Sequence, residues 1–95
     1  MLFAWDPVKD AGNIEKHGIG FADAIRVFSD PAHLVKRSLR PEYNEERWVA
    51  IGAIDEVIYA VVYTDGSEET RRIISARRAR DNERKRYRQS NDPVR

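Results

Sequence analysis

The feature that most constrains the fold is an almost continuous run of β-branched and aromatic residues over positions 57–63. Such a run is typical of a central strand that is buried on both faces. Apolar residues on either side predict two more strands, so strands are expected over 46–54, 57–64 and 70–77. Consecutive strands with short connections favour an antiparallel sheet.

Turn signals and side-chain alternation predict how these strands are arranged. Asp55 and Glu56 predict a two-residue hairpin, although neither is the glycine that such a turn prefers. Asp65 and Gly66 predict a second turn. Alternation places every second residue of a strand on the same face. One face of the first strand is expected to carry Arg47, Val49 and Ile51, and one face of the last strand is expected to carry Arg71, Ile73, Ser75 and Arg77.

The N-terminal part of the chain predicts a strand, two helices and another strand. Residues 2–5 form a short apolar stretch. Apolar residues at helical spacing predict helices over 7–17 and 21–29. A strand is expected over 33–38 and a loop over 39–44. In the first helix the recurring apolar residues are Val8, Ala11 and Ile14.

Together these elements predict a small α+β protein with a single domain over residues 1–95. It should contain an N-terminal strand and two helices, an antiparallel sheet of about four strands, and a basic C-terminal helix near 78–89. Residues 90–95 are expected to be a flexible tail. The chain lacks cysteine, which excludes a disulfide scaffold and a thiol nucleophile. Neither a membrane-spanning run nor a signal peptide is visible, so a cytoplasmic protein is expected.

Charge is divided unevenly along the chain. Residues 1–70 carry seven Lys or Arg against 13 Asp or Glu, whereas residues 71–95 carry ten against three. This asymmetry predicts a polyanion or an acidic protein partner at the C-terminal end. A solvated basic helix without a ligand is the alternative. The expected partner-binding ridge on this helix has the spacing i, i+4, i+8 and comprises Arg80, Arg84 and Arg88.

The first helix has a polar and basic side that could carry chemistry. His17 could act as a general acid or base, and Asn13, four residues earlier, could orient it. The alternative is that His17 only interacts with the helix dipole as a C-terminal cation. The other members of this side are Lys9 and Lys16.

The familiar signatures of metal and nucleophilic catalysis are missing from the sequence. There is no phosphate-binding loop, no nucleophile elbow and no set of zinc ligands. Two pairs of adjacent glutamates could bind Mg²⁺, but neighbours on a strand point to opposite faces, which favours a solvated surface. These pairs are Glu45 with Glu46 and Glu68 with Glu69. We therefore expect no metal and no cofactor.

Three motifs together resemble the BrnT family of bacterial type II toxins. The first comprises WDPVK at 5–9, Asn13, KHGI at 16–19, then Phe21, Ala24, Val27 and Phe28. The second is ERWVAIG at 46–52. The third is RIISARRA at 72–79, followed by Glu83, Arg84 and Tyr87.

The resemblance implies a compact ribonuclease related in fold to RelE toxins. It also implies neutralisation by a BrnA antitoxin, whose ribbon-helix-helix part dimerises and binds operator DNA. Two toxins would join two antitoxins in a complex that represses its own operon. The matched motif positions that become candidates for substrate or phosphate contact are Lys9, His17, Arg47, Arg72 and Arg77.

RNA supplies its own nucleophile, the 2′-hydroxyl, so an enzyme needs only to orient it, stabilise the phosphorane and protonate the leaving oxygen. The leading hypothesis is a metal-independent endoribonuclease that cleaves mRNA and inhibits translation. Arg47, Arg72 and Arg77 would be electrostatic clamps, with His17 or Tyr87 as the proton carrier. Further RNA contacts are expected from Lys9, Lys16, Arg71 and Arg78. The rival hypotheses are a non-catalytic module that docks an acidic antitoxin and acts only in operon autoregulation, and nucleic-acid binding without cleavage.

Overall fold

The computed structural model describes residues 1–38, 46–67 and 69–91. The α+β class is confirmed, with a five-stranded sheet and a C-terminal helix. The elements are β1 (Leu2–Ala4), α1 (Pro7–His17), α2 (Phe21–Ala24), a 3₁₀ helix (Ile25–Ser29), β2 (Leu34–Arg37), β3 (Trp48–Ile54), β4 (Val57–Ser67), β5 (Thr70–Arg78) and α3 (Asp81–Ser90). The loop expected over 39–44, the residues Glu45 and Glu68, and positions 92–95 of the expected tail lie outside the described residues. No helix in the described ranges is both long and apolar enough to cross a membrane.

The strands form one mixed sheet in the order β1-β5-β4-β3-β2. The four strands β2 to β5 pair antiparallel, as predicted. The N-terminal strand β1 adds a fifth, and it lies parallel to β5 with Leu2 opposite Thr70. The connection between β3 and β4 is the predicted two-residue turn. Asp55 and Glu56 both take left-handed backbone conformations, with φ of 50° and 72°.

The turn predicted at Asp65 and Gly66 is wrong, because β4 continues to Ser67. Asp65 pairs with Arg71 and Ser67 with Thr70, so Gly66 lies in an irregularity of the ladder between them. The side chain of Arg71 donates hydrogen bonds of 2.7 and 3.0 Å to the Asp65 carboxylate. This ion pair joins the two strands at the position where the turn was expected.

The sheet buries side chains on both faces, and β4 contributes to each core as predicted. On the first face, Val61 and Tyr63 of β4 pack in one core with Phe21 of α2 and Val27 of the 3₁₀ helix. On the second face, Ile58 and Ala60 of β4 pack with residues of β3 and of the α3 region. The buried members of this second core are Val49, Ile51, Ile58, Ala60 and Ala79.

The expected alternation along β5 is wrong in its middle. The register between β4 and β5 shifts at Val62 and Tyr63. As a result Ile73 and Ala76 both lie in the first core, although an odd spacing should place them on opposite faces. Ser75 and Arg77 lie on the second face.

Helix α1 begins and ends as predicted, but its apolar residues are exposed and the residue that it buries is polar. The Asp6 carboxylate accepts a hydrogen bond from the Val8 amide at 2.9 Å, and Gly18 ends the helix. The only buried residue of α1 is Asn13, while Val8 is 78% and Ile14 51% exposed. The polar face expected to carry a site is therefore partly the buried face of the helix.

The helix predicted over 21–29 divides into α2 and a 3₁₀ helix that lies very close to β3. Gly52 permits this approach, because a Cβ there would lie 2.8 Å from Val27 Cγ2 and 3.0 Å from the Val27 carbonyl oxygen. His33 also closes on this position from the start of β2, with its Cβ at 3.0 Å.

Candidate functional site

A cleft of about 750 Å³ opens on the second face of the sheet, between β2 and the N-terminal part of α3. Six of its lining side chains are cationic and one is a carboxylate. The residues that line it are Lys36, Arg37, Ser38, Arg47, Val49, Val62, Ile74, Ser75, Arg77, Arg80, Glu83 and Arg86. Among the described residues, no three His, Cys, Asp or Glu side chains are grouped as metal ligands would be.

Strand register builds the floor of the cleft. Lys36 of β2 lies opposite Val49 of β3, Val49 lies opposite Val62 of β4, and Val62 lies opposite Ser75 of β5. This row crosses four strands with two apolar residues in the middle and a polar residue at each end. Arg77 is the next residue of β5 on the same face as Ser75, and it lies opposite Ala60 of β4. The cations therefore surround a short apolar strip.

Glu83 binds two of the six cations that line the cleft, Arg77 and Lys36. Its side chain is 4% exposed, and its two oxygens accept hydrogen bonds from Nη1 and Nη2 of Arg77 at 2.8 and 3.0 Å. The backbone N–H of Arg80 donates to Glu83 Oε1 at 2.8 Å. Lys36 Nζ lies 3.7 Å from Oε2. One carboxylate thus joins β2, β5 and the first turn of α3.

This environment keeps Glu83 ionised. Burial by itself raises the pKa of a carboxyl group, but the hydrogen bonds from Arg77 and Arg80 and the positive charge of Lys36 outweigh it. They lower the pKa of Glu83 to about 2. A carboxylate of such low basicity, with both oxygens hydrogen-bonded, is a poor general base near neutral pH.

The side chain of Tyr87 links α3 to the end of the 3₁₀ helix. Its hydroxyl donates a 2.6 Å hydrogen bond to Asp30 Oδ2, which also accepts the Ala53 amide at 2.8 Å. The other oxygen of Asp30 accepts the Ala32 amide at 2.9 Å. Burial and the bond to Asp30 raise the pKa of Tyr87 to about 12. Burial also raises the pKa of Asp30, but these hydrogen bonds bring it below its usual range.

Of the five residues predicted to be catalytic, the structure brings two into the cleft, Arg47 and Arg77. Arg72 is exposed on β5, outside the lining. Tyr87 is tied to Asp30 and does not line the cleft. His17 is exposed at the end of α1, which contacts the sheet at β5, and it does not line the cleft.

Asn13 does not orient His17, contrary to the expectation from helical spacing. Its Nδ2 donates to the carbonyl oxygens of Ile19 and Ala76, at 2.9 and 2.8 Å. Its Oδ1 accepts the Ala76 amide at 3.2 Å. Both the nitrogen and the oxygen of this side-chain amide are therefore hydrogen-bonded to backbone groups.

None of the four residues predicted as further RNA contacts lines the cleft. Lys9 and Lys16 are exposed on α1, and Arg78 is exposed at the end of β5. Arg71 lies over two rings instead, with its guanidinium carbon 4.4 Å from the centroid of Tyr63. The other ring, that of Phe28, lies at 4.9 Å.

The predicted ridge on α3 separates into different environments. Arg80 lines the cleft. Arg84 donates to the Ala79 carbonyl oxygen and to the Asp81 carboxylate, so its guanidinium already has partners. Arg88 is exposed.

Sequence reasoning missed four charged residues of the cleft: Lys36, Arg37, Glu83 and Arg86. Only Glu83 had a signal in the sequence beyond its charge, besides its place after the third family motif. It lies three residues after Arg80, which is the spacing of a capping box. Because Arg80 is not a usual helix-capping residue, the pattern was inconspicuous.

Comparison with known proteins agrees with the fold and the motifs. The family model described as the ribonuclease toxin BrnT of type II toxin–antitoxin systems matches residues 5–83. The structure is similar to the 1.1 Å crystal structure of the Brucella abortus ribonuclease toxin BrnT, with a TM-score of 0.63 and 31% sequence identity. That match covers 85% of this chain and 100% of the Brucella chain. No curated protein matches the chain significantly. The resemblance based on the three sequence motifs is confirmed, and the chain belongs to the BrnT family of ribonuclease toxins of type II toxin–antitoxin systems.

Proposed function

We propose that this protein is a metal-independent endoribonuclease that cleaves mRNA, inhibits translation and holds its substrate in the cationic cleft. The observation that carries the proposal is the convergence of six Lys and Arg side chains on one cleft, from β2, the residue before β3, β5 and the α3 region. Three of the six cations come from residues 1–70, although that part of the chain carries more acidic than basic residues. Clustered cations raise the local concentration of a polyanion and fix its backbone.

The cleft supplies the charge stabilisation that RNA cleavage through the 2′-hydroxyl requires. Arginines around the scissile phosphate stabilise the charge that develops on the phosphorane, and preorganised charges cost little reorganisation during the reaction. We assign this role to Arg47 and Arg77, which border the same cleft. The partly buried Val62, which lines the same cleft, offers an apolar surface for a base or ribose between them. His17 and Tyr87 receive no step in this proposal, because neither lines the cleft.

We further propose that the partner is a BrnA-like ribbon-helix-helix antitoxin, with two toxins and two antitoxins in the cytoplasmic complex. Membership in a type II toxin family supports an antitoxin partner in general. Operator DNA would be bound only through the antitoxin. The cleft and the exposed Arg88 on α3 offer an acidic antitoxin segment the charge complementarity that steers association.

Incubating the purified protein with RNA over a range of salt concentrations, with and without EDTA, tests this proposal. We expect endonucleolytic cleavage that survives EDTA. The matched control is an oligonucleotide of the same sequence with 2′-O-methyl groups, which should bind but not be cleaved. Loss of cleavage in EDTA that Mg²⁺ restores would contradict the metal-independent reaction. Salt-sensitive binding without cleavage would favour a nucleic-acid binder, and neither binding nor cleavage would favour a docking module.

A further inference from the structure

We propose that Glu83 is a positioning residue for RNA cleavage, holding Arg77 and Lys36 so that the free edge of the Arg77 guanidinium meets a substrate phosphate. The inference rests on the proposed ribonuclease function. It gives Glu83 a role beyond fastening α3 to the sheet.

The hydrogen bonds of Arg77 define which edge is free. A guanidinium is planar and carries five N–H groups, so it can offer a two-pronged fork on more than one edge. Glu83 occupies the fork made by Nη1 and Nη2, and Nη1 also donates to the Arg78 carbonyl oxygen at 3.3 Å. Within residues 1–38, 46–67 and 69–91, the Nε–H of Arg77 donates no hydrogen bond. Together with the second N–H of Nη2, it forms a fork that matches two phosphate oxygens.

A carboxylate within an anion-binding cleft is explained by the cations around it. Lys36 and Arg77 come from different strands, and their like charges would repel if nothing lay between them. Glu83 lies between them, 3.7 Å from Lys36 Nζ and 2.8 Å from the nearest Arg77 nitrogen. Because it is buried, its attraction for both is weakly screened. It thereby holds two cations from different strands beside one carboxylate.

The simpler role, in which Glu83 only fastens α3, predicts different kinetics. A fastening residue changes the fraction of folded protein but not the turnover of each folded molecule. A positioning residue changes kcat even when the protein is fully folded, because a small misplacement of a charge at the reacting phosphate lowers the rate steeply.

The test compares Glu83→Gln with the wild-type protein at a temperature where both are fully folded. Glutamine keeps the size of the side chain and can still accept the Arg80 N–H, but it removes the charge. We expect kcat to fall by about 10²-fold. Affinity for the 2′-O-methyl oligonucleotide should stay equal or increase, because a negative charge has left a cationic cleft. Asp81→Asn is the matched control, since it removes a charge from the same helical turn at a side chain that is 96% exposed. It should change neither quantity.

The outcomes separate this inference from the proposed function. If wild-type protein cleaves RNA and Glu83→Gln has an undiminished kcat, the positioning role of Glu83 is wrong while the ribonuclease function stands. If wild-type protein does not cleave RNA, both are overturned. Should Glu83→Gln fail to fold, Glu83→Asp keeps the charge but shortens the side chain. It should lower kcat without raising KM, and an unchanged kcat would overturn the inference.

Discussion

The side-chain amide of Asn13 binds both backbone groups of Ala76, as a neighbouring strand would. It donates to the Ala76 carbonyl oxygen at 2.8 Å and accepts the Ala76 amide at 3.2 Å. Strand β1 pairs with β5 only from Thr70 to Arg72, so α1 takes over the edge of β5 where β1 has ended. A buried Asn thus satisfies backbone groups that would otherwise be orphaned.

Replacing Asn13 with Ala should therefore destabilise the protein by about 2–4 kcal/mol, because Ala76 would lose the partner of its N–H and its C=O. Urea unfolding followed by circular dichroism measures this loss. The exposed Glu15 of the same helix provides a matched control, and Glu15→Ala should change stability by less than about 0.5 kcal/mol. Equal effects of the two substitutions would show that the Asn13 bonds contribute little.

Gly52 should tolerate no larger residue. In Gly52→Ala the new methyl group would lie 2.8 Å from Val27 Cγ2 and 3.0 Å from a backbone oxygen, so the 3₁₀ helix must move away from β3. We expect a loss of about 1–3 kcal/mol, as for other overpacked core positions. Gly12→Ala is the control, because a Cβ there meets nothing within 4 Å and alanine favours a helix. A stable Gly52→Ala variant would contradict the close approach.

Tyr87→Phe separates a structural role of the hydroxyl from a catalytic one. The substitution removes the 2.6 Å bond to Asp30, and we expect a loss of about 1–3 kcal/mol because the acceptor is charged. Cleavage by the folded variant should be unchanged, since the hydroxyl lies outside the cleft. A large fall in kcat with little loss of stability would instead identify Tyr87 as a proton carrier.

Glu83 should make stability depend on pH in acid. Its pKa lies at about 2 in the folded protein against a reference value of 4.5, so its contribution is complete above pH 4.5 and is lost as the pH falls towards 2. The corresponding free energy is about 3 kcal/mol. The difference in unfolding free energy between wild-type protein and Glu83→Gln should shrink over this interval. A difference that stays constant from pH 5 to about pH 2 would contradict the folded-state pKa.

Local patterns were enough to predict the elements and the two-sided burial of β4. The run 57–63 specified a central strand, and the turn at Asp55 and Glu56 followed from the strands on either side. These features depend on neighbours in sequence. By contrast, the orientation of α1 depends on the edge of β5. There a side-chain amide can hydrogen-bond the free backbone groups, and an apolar side chain cannot. The apolar spacing of Val8 and Ile14 therefore identified the helix but not its buried face.

The cleft was only partly predictable because the pairing register of the strands determines which side chains lie next to one another. The row from Lys36 to Ser75 exists only when four strands pair as they do, and the irregularity near Tyr63 decides which residues of β5 face it. Arg47 and Arg77 were identified from their residue type and from family resemblance. Glu83 was not, since a glutamate in a charged helix is expected to be solvated unless its partners are known.

The central claim is that RNA is cleaved in the cationic cleft. Single-turnover cleavage in EDTA, measured for two matched pairs of variants, tests it most directly. Each pair compares a cleft arginine with a basic residue outside the cleft: Arg47→Ala with Arg26→Ala, and Arg86→Ala with Lys85→Ala. We predict a fall of about 10²-fold for Arg47→Ala, a smaller fall for Arg86→Ala, and unchanged rates for Arg26→Ala and Lys85→Ala. Equal rates within each pair, in folded proteins, would contradict the claim and place the reaction elsewhere.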